Sequence, residues 1–254
     1  MVFVFDMPDV RLIPASRAHF QNKLHRYPWC VRTVLLLCAL MCITAPASAA
    51  VRANPEPALA ALYDAILPHF NRDALVLYVV PVATEGENKT EIPGWWRHCP
   101  YSKTVSEAGA TQARQIAAAL RGLRVRVAWA NSAEICASLT TATYVVADPA
   151  VRVHPTPDLN PPELLRLSGL KNGVIETLVR ASVEVGVAGA VAVVSGSPLT
   201  LETAPYPVLA DMQAGDSSLF VLGRGGEVRL LAKLTPTQWG ELMNYARSKR
   251  GRKP

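Results

Sequence analysis

Polar and apolar positions along the chain fall into two alternating periods. Leu59, Leu62, Ile66 and Leu67 follow helical spacing and predict an amphipathic helix within residues 55–70. The run ALVLYVV, ending at Val80, is apolar without alternation, which predicts a strand buried on both faces. Residues 84–104 are polar, hold Gly86, Pro93, Gly94 and Pro100, and predict a long loop carrying Trp95 and Trp96. An Ala-rich helix should follow, with Ser106 as its cap, Glu107 in its first turn and a stop at Gly122. VRVAWA predicts a second strand, and SAEICASLTTATYVVA a Thr-rich helix. The five prolines of residues 148–162 predict irregular structure. Residues 163–185 predict a helix broken near Lys171, Asn172 and Gly173. GAVAVVSG, SLFVLG and EVRLLAKL predict three more strands, the last two joined by a turn over 223–226. Thr235 and Pro236 mark the start of a closing helix.

Apolar strands alternating with helices imply an α/β fold, a three-layer sandwich around a largely parallel sheet, with a possible antiparallel hairpin at one edge. Half of the 254 residues are hydrophobic, enough for one domain with a sizeable core. No internal repeat and no second domain is visible.

The formal charge of +6 is unevenly placed. Residues 1–49 hold five basic and two acidic side chains, and the terminal RSKRGRKP holds five more basic ones. The remaining body has 16 basic and 18 acidic residues, so it does not match nucleic acid. In VRTVLLLCALMCITAPASAA a basic residue precedes an apolar run over 34–43 and then small residues, with Ala47, Ser48 and Ala49 fitting a cleavage site. The expectation is a signal peptide with an N-terminal extension over 1–49, a mature domain over 50–246, and a basic disordered tail over 247–254. The apolar run is too short to span a bilayer, so no transmembrane segment is expected after processing. Translation from Val31 would explain the unusual first 30 residues. A periplasmic or secreted location follows. Of five cysteines, Cys99 and Cys136 would remain, either as a disulfide or as two buried thiols.

Ligands of such sheets bind beyond the carboxyl ends of the strands. There the element order resembles the histidine phosphatase (phosphoglycerate-mutase-like) superfamily, most closely its exported bacterial branch, over residues 74–245. LYVVPVATE stands where the family has a strand followed by Arg-His-x-x-Thr. CPYSKTVSEAGATQARQIAAAL is similar to its Cys-containing loop and the helix after it. CASLTTA is similar to a Cys-Arg helix start, VAVVSGSPLTLETA to a strand ending in Gly-His, and LLAKLTPTQWGEL to the closing strand and helix.

The resemblance implies a nucleophilic His with two Arg and a second His around a phosphoryl group, whose charge they stabilise. Position by position, this sequence departs from that pattern. The first Arg maps to Val80 and the nucleophile to Pro81. The second Arg maps to Ala137, or to Cys136 if the register shifts by one, and the second His to Ser197. A phosphate would meet no cation at these four positions. The family likeness therefore implies a pseudoenzyme, a binding module of the cell envelope for a non-phosphorylated small molecule or a protein. Thr84, Trp95, Trp96 and Ser197 are its candidate ligand-binding residues. No cofactor and no metal site is expected. The alternative is a divergent phosphatase or hydrolase with a rebuilt site, with His98 as the candidate side chain. The exported branch has Cys at both matching positions, so the resemblance also implies a Cys99–Cys136 disulfide.

Overall fold

The computed structural model describes residues 57–198, 206–222 and 227–251. The expected signal peptide over 1–49 and the expected turn over 223–226 lie outside the described residues. The first helix, α1, spans Pro57–Ile66, and a short α2, His69–Arg72, leads into β1, Leu75–Val79. Two-residue strands β2, Thr84–Glu85, and β3, Thr104–Val105, pair antiparallel at the mouth of the long loop. Helix α3 is Glu107–Leu123, β4 is Arg126–Ser132, α4 is Cys136–Val146 and β5 is Val153–Pro155. Helices α5, Pro162–Ser168, and α6, Val174–Val185, precede β6, Ala190–Ser195. Strands β7, Ser217–Leu222, and β8, Val228–Leu234, and helix α7, Pro236–Gly251, complete the fold.

The sheet order is β5-β4-β6-β1-β7-β8. The first three neighbouring pairs are parallel, and β7 runs antiparallel to both β1 and β8. This is a three-layer α/β sandwich with a mostly parallel sheet. Period two makes each central strand two-sided. Leu75, Leu77 and Val79 of β1 face one core, with Tyr63, Ile116, Leu120, Trp239 and Leu242 from α1, α3 and α7. Val76 and Tyr78 face the other, with Leu178, Ala181 and Val185 of α6. Both faces are covered, so an uninterrupted apolar run is what β1 needs. Removing each such side chain from water stabilises the fold by about 1.5–3 kcal/mol.

Helix starts follow their capping chemistry. Ser106 Oγ accepts from the Gly109 amide at 3.1 Å. At α7, Thr235 Oγ1 accepts from the Gln238 amide while the Thr235 amide donates to Gln238 Oε1 at 2.8 Å, a reciprocal capping box.

Three expectations need correction. Helix α3 does not stop at Gly122; it runs to Leu123 and is capped by Arg124 at φ 64°. Gly122 serves packing instead, because a β-carbon there would lie 2.5 Å from Met243 Sδ of α7. The Pro-rich connector is not wholly irregular, since Val153–Pro155 adds a parallel edge strand to β4. An edge position tolerates a proline that lacks a donor. The tail does not begin at 247: α7 continues to Gly251 because Arg250 donates to the Gly122 carbonyl at 2.9 Å and Lys249 pairs with Asp64. That lysine donates to the Asp64 carboxylate and holds its pKa below the usual range.

Candidate functional site

The backbone that follows β1 is held on every side. The Val80 amide donates to the Asp216 carbonyl at 2.9 Å, and the Gly215 amide returns to the Val80 and Pro81 carbonyls. The Val82 amide donates to Thr141 Oγ1 at 3.2 Å, and the Ala83 amide to Gln112 Oε1 at 3.3 Å. Val80 and Val82 are buried, and Pro81 is half-buried.

Strand β6 ends beside β1 in Ser195, Gly196 and Ser197. Tyr78, fully buried, donates from its hydroxyl to the Ser197 carbonyl at 2.7 Å. Burial raises the phenol pKa well above its ordinary value, so it acts as a neutral donor. Residue 196 must be glycine, because a β-carbon would lie 2.5 Å from the Tyr78 hydroxyl. This turn sets Ser197 next to Pro81.

These ends open on a cavity of about 420 Å³. Val80, Pro81, Ala137 and Ser197, from three distant parts of the sequence, line it together. The space over the strand ends is therefore open. Thr84 and Trp95 also line it. Trp96 does not: successive side chains splay in the short 3-10 turn, and its ring stacks edge-on to Trp95 and under Arg97.

Sequence reasoning missed several lining residues. Pro161, Pro162 and Glu163 come from the start of α5, and Asn88, Ser102 and Lys103 from the long loop folded back. Lys103 brings a cation that the four mapped positions do not supply, although its side chain is exposed on the rim and Glu163 is on the same wall. A strand-end loop followed by a Pro-rich segment was the available signal. His98 is not on the cavity wall; it is exposed and packs on Tyr101.

The long loop is fixed over the site by two ties. Cys99 and Cys136 have Cα atoms 5.3 Å apart with their sulfurs at bonding separation. Arg97 pairs with Glu134 at 3.2 Å, and Asn160 donates to the same carboxylate at 3.0 Å. The Glu134 side chain is 15% exposed, so this pair is better shielded than an ordinary surface contact. Among the described residues, no three His, Cys, Asp or Glu side chains converge as metal ligands. No described helix is long and apolar enough to cross a membrane.

No protein-family model matches the chain, and no curated protein matches it in sequence. Among solved structures, it is similar to the protein histidine phosphatase SixA complexed with tungstate, at 17% identity and a TM-score of 0.48, over 64% of this chain and 97% of that one. It is also similar to the phosphoserine phosphatase of Entamoeba histolytica, at 13% identity and a TM-score of 0.41, over 65% and 98%. A third similar structure is the alpha-ribazole phosphatase of Shigella flexneri, at 13% identity and a TM-score of 0.40, over 61% and 94%. These structures belong to the superfamily that the sequence resembles. They are likenesses of fold, and the chemistry of the site rests on its own residues.

Proposed function

We propose that this chain is an exported pseudoenzyme, a binding module of the cell envelope that takes an uncharged, largely apolar ligand or protein segment at the strand ends. The observation that carries the reading is the composition of the open cavity. Pro81, Ala137 and Ser197 stand on its wall where the family likeness places a nucleophile and its phosphate ligands. The side chains of Pro81 and Ala137 offer no lone pair or charge for phosphoryl transfer, and among the described residues no side-chain hydrogen bond joins Ser197 to Lys103 or Glu163, the titratable groups on the wall. Lys103 and Glu163 leave the rim without net charge. Trp95 supplies a broad apolar contact surface.

Oxidation of Cys99 and Cys136 belongs to the same reading, because an oxidising compartment would keep the pair bonded. The bond would hold the wall of the site in place while a ligand enters and leaves.

A second reading, a hydrolase with a rebuilt site, draws on Lys103 and the hydroxyls of Thr84 and Ser197 around one cavity. Melting curves and phosphatase assays on the purified protein separate the two. The binding module should show no turnover and no rise in melting temperature with millimolar phosphate or vanadate. Turnover that disappears in Lys103→Ala or Ser197→Ala would establish the hydrolase instead.

A further inference from the structure

The opposite pole of the domain has chemistry of its own. Helices α3 and α7 both begin near the cavity and run side by side to the amino ends of the parallel strands. Their last turns meet at Gly122, where Arg250 donates to its carbonyl and the Arg247 guanidinium lies 3.4 Å from where a β-carbon would sit. Arg121 and Arg124 stand on the adjoining turn of α3, and Arg126 opens β4 directly after it. All five arginines are exposed. Among the described residues, none of them has a carboxylate within 4.0 Å; the nearby Lys249–Asp64 pair is neutral as a unit. Two helix C-termini contribute about half a negative charge each. Five cations outweigh them, and the sequence continues with Arg252 and Lys253.

Arg124 adds an independent sign. It holds φ 64° at the helix cap, where glycine is favoured and a side chain is strained. A cation stands at a position where stability favours glycine.

We propose that this basic pole docks on an anionic lipid bilayer, leaving the cavity at the other end open to its ligand. A planar surface touches only the pole, whereas a polyanion that wrapped further would meet the slightly acidic body. Single-stranded nucleic acid binds by stacking on exposed aromatic rings. Among the described residues, Tyr245 of α7 is packed between Tyr63 and Lys249. The inference stands apart from the reading of the cavity.

The test is co-sedimentation of the full chain with vesicles of phosphatidylcholine alone or with about 30% phosphatidylglycerol, at low and high salt. Because residues 34–43 are apolar, the readout is the difference between the two vesicle types. Anionic vesicles should bind at least tenfold more tightly at about 50 mM salt, and the difference should vanish near 500 mM. Arg124→Gly should lower anionic binding by about fivefold without lowering the melting temperature. Combined with Arg121→Gln and Arg247→Gln, it should abolish the difference. Equal preference for anionic vesicles in wild type and Arg124→Gly, or a short RNA that displaces the vesicles, would overturn the proposal.

Discussion

A methyl group on residue 196 would lie 2.5 Å from the Tyr78 hydroxyl and 3.2 Å from two ring carbons. The site is thus shaped from below by one buried phenol. Gly196→Ala should destabilise the protein by about 1–3 kcal/mol through overpacking. Tyr78→Phe alone should cost about 1–2 kcal/mol, because the Ser197 carbonyl loses its donor. The two changes together should cost less than their sum, since Tyr78→Phe removes the hydroxyl that the new methyl group of Gly196→Ala would strike. Urea denaturation of the three variants gives the coupling, and strict additivity would mean that the turn moves freely of Tyr78. Residues of this kind divide by legibility. Ser106 as a cap and Pro81 beside Ser197 were readable, because capping and strand ends follow local order. Lys103 was not, because its approach depends on how the loop between β2 and β3 folds back. Trp96 read as a ligand-binding residue like Trp95, yet a turn sends neighbours in different directions and only Trp95 reaches the cavity.

At the scale of elements, the loop between β2 and β3 is the part most dependent on long-range ties. It holds two 3-10 turns and a two-residue strand pair, too little backbone bonding to fix 18 residues between them. Cys99 and Cys136 close a segment of sequence separation 37, for which a bond contributes about 2–4 kcal/mol. Oxidised mature protein, without Cys30, Cys38 and Cys42, should show no titratable thiol. Replacing both cysteines by serine should lower its melting temperature by roughly 4–12 °C. A melting temperature unchanged by the double substitution would mean that Arg97 and Glu134 hold the loop alone. The strands and helices around this loop were legible because their apolar periods are long and uninterrupted. Gly122 misled because glycine stops helices and also lets them approach, and only the partner helix decides which. The short β5 was hidden because prolines, barred from a central strand, are accepted on an edge.

Across the whole molecule, the last helix closes the domain where a loose tail was expected. Deleting residues 247–254 removes the Lys249–Asp64 pair and the Arg250 contact with Gly122, and leaves the buried Ala246 at a frayed end. Differential scanning calorimetry should record a fall of a few degrees, whereas a tail without contacts would leave the transition where it was. The fold class was legible at this scale because the alternation of strands and helices admits few arrangements. The strand order was not, since apolar strands of similar composition do not state their neighbours. That order has a consequence for how the protein is made. The central strand β1 emerges early from the ribosome, yet its partners begin at residue 191 on one side and at residue 217 on the other. Until those segments arrive, both edges of β1 are open and the sheet has no middle. Such long-range pairing slows folding. A chain built in this order gains the middle of its sheet only once residues 217–221 have been delivered.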